Sequence, residues 1–183
     1  MNNIRINRAA FTGSAIFHIH SFDHHVAEDL HIPADSTLKE KYEALIPQLE
    51  SLINGEPDLI ANMANMAAAL KEAFGFFWVG FYRVEGEQLV LGPFQGPVAC
   101  TRISYGKGVC GTAWKEKRTL LVPDVDQFPG HIACSSLSRS EIVIPLISEG
   151  EVSALLDIDS DQLDTFSAVD AFYLEKITSL LKF

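Results

Sequence analysis

Phe76-Phe77-Trp78-Val79-Gly80-Phe81-Tyr82-Arg83-Val84 is where the hydrophobic period of this chain changes. Before it, apolar residues recur every three or four positions. Leu38, Tyr42, Leu45, Leu49 and Leu52 mark one helical face, and Leu59, Met63, Met66, Leu70 and Phe74 mark a second. Thr37 and Glu40 have the spacing of a capping box at the start of the first helix, Pro47 is expected to kink or split it, and Gly75 is expected to stop the second. From Phe76 the alternation has a period of two, so Phe76, Trp78 and Gly80 share one face of a strand and their neighbours the other.

Downstream the strand pattern persists. Gln88–Leu91 follows a turn at Gly86, Val98–Ile103 reads as a third strand, and Gly108–Lys117 as a short helix before the strand Thr119–Val122. Residues 123–140 form a long polar loop, a length that is usually functional inside a compact domain. Glu141–Ile147 and Glu151–Asp159 make a closing hairpin around Glu149-Gly150. Ser167 then caps a final helix whose expected buried stripe is Val169, Phe172, Tyr173, Ile177 and Leu180. The result is an α+β fold, a central antiparallel sheet flanked by N- and C-terminal helices, in a single domain over residues 36–183.

Residues 1–35 lack a clean period and read as an N-terminal extension. They hold five of the six histidines. His18-x-His20 and His24-His25 could ligate a metal, but no cysteine or regularly spaced carboxylate completes a tetrahedral set, so a solvated extension or extra edge strand is preferred. Arg5 and Arg8, with no acid in the first twenty-two residues, faintly resemble a transit peptide. No apolar core or small-residue cleavage site follows, and a cytoplasmic protein is expected.

The net charge of −10 argues against nucleic acid or an anionic membrane as partner, since both require clustered Lys and Arg. No apolar run approaches the length of a membrane span. Three cysteines is an odd number, which favours a reducing compartment over a secreted, stapled domain.

Free cysteine is often only a small buried hydrophobe, so position decides. Cys134 lies in the polar loop, in Gly130-His131-Ile132-Ala133-Cys134-Ser135-Ser136, a setting for a reactive thiol. Cys110 begins a predicted helix behind Lys107, and both the helix N-terminus and the lysine favour thiolate. Cys100 lies in or at the end of a strand beside Arg102. One loop thiol with two others near glycine turns suits a nucleophile with partners to resolve it. Tyr105-Gly106-Lys107-Gly108 lacks the spacing of a phosphate loop and reads as a tight turn.

Asp157 and Asp159 stand two apart at the end of an apolar strand and therefore share a face. A strand end emerging into solvent explains them as well as a site does. Whether Glu141 joins them depends on the hairpin. A simple two-residue turn at Glu149-Gly150 pairs Glu141 with Ile158, on the opposite face, whereas a bulged or three-residue connection sets it against Asp157 or Asp159. Trp78 is core by default, with a wall against a ligand as the alternative.

From about residue 40 onward the chain resembles the free methionine-(R)-sulfoxide reductases, small stand-alone enzymes of the GAF fold. The resemblance rests on Phe77-Trp78-Val79-Gly80-Phe81-Tyr82, Gly92-Pro93-Phe94-Gln95-Gly96, Cys100 and Gly106-Lys107-Gly108-Val109-Cys110-Gly111. It continues in Val122-Pro123-Asp124-Val125, His131-Ile132-Ala133-Cys134, Ser140-Glu141-Ile142-Val143-Ile144-Pro145 and Leu156-Asp157-Ile158-Asp159-Ser160. It implies that Cys134 is the nucleophile, Cys100 its resolving cysteine, and Cys110 a third thiol of less defined role. Trp78 and Tyr82 become an aromatic wall, and Glu141, Asp157 and Asp159 an acidic binding set; of these, we expect Asp159 nearest the sulfoxide oxygen. It further implies free methionine-(R)-sulfoxide as substrate, sulfenic acid and disulfide intermediates, and thioredoxin or a similar dithiol as reductant. No cofactor or metal enters that cycle, and a homodimer is left open.

The acidic set brings an electrostatic objection: three neighbouring carboxylates should raise the pKa of Cys134. Two rival readings stand beside it, a GAF small-molecule sensor without catalysis and a thiol redox sensor. Neither has a use for thiols and carboxylates together.

Overall fold

The computed structural model describes residues 29–132 and 134–183; the paired histidines of the N-terminal extension lie outside them. Helix α1 (Leu38–Ile53) begins with the expected capping box, in which the Thr37 hydroxyl accepts from the Glu40 amide and the Glu40 carboxylate accepts from the Thr37 amide. Pro47 lies inside α1 without splitting it. Helix α2 (Leu59–Phe74) is capped by Asp58, which accepts from the Ala61 amide at 2.9 Å. It stops at Gly75, whose left-handed backbone (φ 69°) favours glycine at this helix end.

Six strands follow: β1 (Trp78–Glu85), β2 (Gln88–Gln95), β3 (Arg102–Ser104), β4 (Leu120–Val122), β5 (Ser140–Ser148) and β6 (Glu151–Ser160). They form one antiparallel sheet in the order β3-β2-β1-β6-β5-β4. Helix α3 (Gly108–Glu116) connects β3 to β4, and α4 (Ala168–Thr178) closes the chain behind the Ser167 cap. Two strands differ from expectation. β2 runs four residues further, to Gln95, past a bulge at Gly92-Pro93 where proline has no ladder amide to lose. β3 begins only at Arg102, because residues 97–101 leave the sheet.

The sheet separates two cores. Val79 and Phe81 of β1, Leu156 and Ile158 of β6, and Ile142 and Ile144 of β5 face α1, α2 and α4. Leu30 and Ile32 pack against this core, and the His31 amide donates to Gln48 of α1. The α4 stripe is rotated from its expected position: Val169 and Phe172 are 41% and 56% exposed, while Asp170, Tyr173, Leu174 and Ile177 are buried. Asp170 faces inward because its carboxylate caps Ser167 and accepts from the Tyr42 hydroxyl at 2.9 Å.

Trp78, Tyr82, Leu155, Val143, Leu120 and Val122 face the other way, toward α3 and the 123–139 segment. That segment contains a single 3-10 turn, Val125–Gln127, and is otherwise irregular. Among the described residues no helix is long and apolar enough to cross a membrane.

Candidate active site

The hairpin register places the three acids together. Glu149-Gly150 is a two-residue connection, with Ser148 opposite Glu151 and Ile147 opposite Val152. The register then shifts, Leu146 pairing with Ala154, so Ser153 is an extra residue in β6. Beyond this bulge Glu141 pairs with Asp159 and Val143 with Asp157, whereas an unbroken ladder would have set Glu141 against Ile158. On the other side of β6, Trp78 pairs with Asp159 and Gly80 with Asp157. One face of the sheet therefore presents Trp78, Gly80, Tyr82, Asp157, Asp159 and Glu141. A Cβ at Gly80 would run into the Phe94 and Trp78 side chains, so only glycine lets β1 lie under this aromatic layer.

The loop closes over the acids. Cys134 forms a disulfide with Cys100, Cα to Cα 5.1 Å, joining residues 97–101 to the 123–139 segment across the sheet face. Cys110 is the free thiol and is buried at the start of α3, 3.8 Å from Glu141 Oε1. Cys134, Cys110, Glu141, Asp157 and Asp159 line one cavity with His131, Lys107 and Ser138. Its volume is about 30 Å³, room for about one water. A pocket for a small organic ligand is typically about ten times larger.

The aromatic pair does not line this cavity. Trp78 and Tyr82 lie beside it, with centroids 6.1 Å apart, and they hold the strap that carries Cys100. Tyr82 donates its hydroxyl to the Cys100 carbonyl at 2.9 Å, and the Trp78 indole donates to the Pro97 carbonyl at 3.0 Å. The turn reading of Tyr105–Gly108 holds: Gly106 is left-handed and Lys107 is the N-cap of α3.

Burial governs the electrostatics. Asp159 is pushed up to about 6 by removal from water, with the Ser138 hydroxyl opposing the shift. Burial also raises Glu141 and Asp157 well above the usual carboxylate range, and the neighbouring acids add to the effect. Cys110 is raised well above an ordinary thiol, first by burial and then by Asp157 and Glu141. The objection raised for a thiolate beside three acids therefore applies in full to Cys110. The site can hold protons at neutral pH, present acceptors to a cation, and oxidise and reduce a thiol pair.

In the sequence His131 and Lys107 stand out as neighbours of cysteines. Ser138 does not, because a serine in a polar loop carries no signal of facing a carboxylate in a distant strand.

A GAF domain model matches residues 56–183, and the chain belongs to the GAF-domain family. GAF domain-containing protein A of Dictyostelium discoideum is 60% identical over 157 residues, covering 85% of this chain and 99% of that protein. The free methionine-R-sulfoxide reductase of Saccharomyces cerevisiae is 39% identical, over 86% of this chain and 92% of that one. The X-ray structure of free methionine-R-sulfoxide reductase from Neisseria meningitidis in complex with its substrate superposes with a TM-score of 0.81 at 54% identity. That match covers 84% of this chain and 92% of the other. Within the GAF family the chain thus stands with the free methionine-(R)-sulfoxide reductases.

Proposed function

We propose that this chain reduces free L-methionine-(R)-sulfoxide to methionine through Cys134, with Cys100 as the resolving thiol. The observation that carries the reading is the Cys100–Cys134 disulfide at the mouth of a cavity walled by Glu141, Asp157 and Asp159. The names of the similar proteins supply the substrate.

In the reduced enzyme the Cys134 thiol attacks the sulfoxide sulfur while the oxygen takes up a proton. Asp159, with a pKa near neutrality, is suited to supply it. Cleavage releases methionine and leaves the oxygen on Cys134 as a sulfenic acid. The Cys100 thiol then attacks that sulfur, expelling water and forming the disulfide. A dithiol such as thioredoxin restores both thiols by exchange, and two electrons have passed from it to the sulfoxide. Glu141 and Asp157 bind the free α-ammonium group, which a methionine residue within a protein lacks. Trp78 and Tyr82 wall the methyl side once the Cys100 strap is released. Cys110 is a supporting thiol in this scheme.

Residues 36–183 form the catalytic domain, preceded by the extension of residues 1–35. A disulfide that forms and is reduced in each catalytic cycle fits the reducing cytoplasm. A thiol redox sensor would also use the disulfide, but it gives the three clustered carboxylates nothing to do.

The test is to supply reduced protein and thioredoxin with the separated R and S epimers of free methionine sulfoxide. Consumption of the R epimer alone is expected, with Cys134→Ser inactive and Cys100→Ser limited to one turnover. If neither epimer is consumed, the reading falls.

A further inference from the structure

The cavity beneath the disulfide offers more than a substrate subsite. Cys110 Sγ, one oxygen of Glu141 and one of Asp157 lie within 4.8 Å of one another, each from a different element: α3, β5 and β6. All three residues are buried. Asp157 is 6% exposed, lines the cavity, and has a buried Oδ1 without a hydrogen-bond partner. A buried carboxylate oxygen with nothing to accept from is costly, and an ion or a water in the cavity would satisfy it.

We propose that Cys110, Glu141 and Asp157 form a binding site for a thiolate-preferring divalent cation of the zinc class.

Zinc bonds of about 2.3 Å to sulfur and 2.0–2.2 Å to oxygen set tetrahedral donors about 3.4–3.6 Å apart. The 3.8 Å between Cys110 Sγ and Glu141 Oε1 is already close to that span. The cavity of about 30 Å³ has room for about one water, which would be the fourth ligand of an ion held between the three donor atoms. The mixed donor set selects the metal: a thiolate excludes calcium and magnesium, whereas zinc, cobalt and cadmium accept sulfur with carboxylate. On the reductase reading the same carboxylates hold the substrate's ammonium group, so zinc would raise KM for methionine sulfoxide. The site itself does not depend on that reading.

The deciding experiment uses the full oxidised chain, in which Cys110 is the free thiol among the three cysteines. Titration with Co²⁺ should give a cobalt–thiolate charge-transfer band saturating at one equivalent and displaced by Zn²⁺. The histidines of residues 1–35 can also take Co²⁺, but imidazole gives no such band. Cys110→Ser should abolish the band, and Glu141→Gln and Asp157→Asn should each weaken Co²⁺ binding at least tenfold. No band at millimolar Co²⁺, or a band that survives Cys110→Ser, overturns the site. If Cys110→Ser fails to fold, the two isosteric amide variants decide: wild-type affinity in both also overturns it. None of these readouts involves turnover, so their failure leaves the reductase reading untouched, and the reverse holds.

Discussion

The two faces of the sheet share every ladder hydrogen bond and yet have opposite contents. Toward α1, α2 and α4 the strands present aliphatic and aromatic side chains in a closed core. Toward α3 and the 123–139 segment, positions one residue away carry Glu141, Asp157 and Asp159 between Trp78 and the cysteines. The apolar face contributes stability by removing hydrocarbon from water. The site face gives some of that back, because it holds carboxylates in surroundings that disfavour their charge. Since the side-chain period is two, a single residue of register decides which set lies where.

Inserting one alanine between Ala154 and Leu155 should have the largest effect. It slips the far end of the hairpin by one residue, sets Glu141 against Ile158, and drives Asp157 and Asp159 toward the apolar core. A loss of more than about 4 kcal/mol, or no cooperative transition at all, is expected in urea unfolding. A folded, fully active insertion variant would break the comparison. Leu156→Ala should cost about 3–4 kcal/mol by leaving a cavity in the apolar face, while turnover per folded molecule stays within about twofold. If turnover collapses with stability, the faces are not separable.

Asp159→Asn should act with the opposite sign. The folded pKa of about 6 lies above the ordinary aspartate value of 3.8, so the group favours the folded state below about 4. That contribution is lost as pH rises through about 6, and a two-unit shift corresponds to about 3 kcal/mol. The wild type should therefore lose stability between about pH 4 and 6 by more than Asp159→Asn does, as parallel urea titrations would report. Equal slopes would show that the site face carries no such cost.

How much of this could be read from the chain depended on the range of the interaction. The Thr37–Glu40 capping box, the Gly75 stop and the β1 alternation are local, and each is where the sequence puts it. The α4 stripe departs from its hydropathy pattern because Asp170 is drawn inward by the distant Tyr42 hydroxyl and by the helix cap, neither of which hydropathy records. The membership of Glu141 could only be stated as a choice between two registers. Nothing in the strand marks Ser153 as the residue that makes the shift. The cysteines and acids were visible as types; the standing of Trp78 and Tyr82 behind the cavity, bonded to the Cys100 strap, was not.

The bond between Cys100 and Cys134 also changes the unfolded chain. Its sequence separation of 34 turns the segment holding β3, α3 and β4 into a covalent ring, even when every native contact is gone. Closing a ring of that size removes conformational freedom from the denatured ensemble worth about 4 kcal/mol at 25 °C. The oxidised and reduced molecules should therefore differ in heat resistance by a margin that is a sizeable fraction of a domain's net stability. Any agent that opens this bond shortens the lifetime of the fold as it renews the thiols.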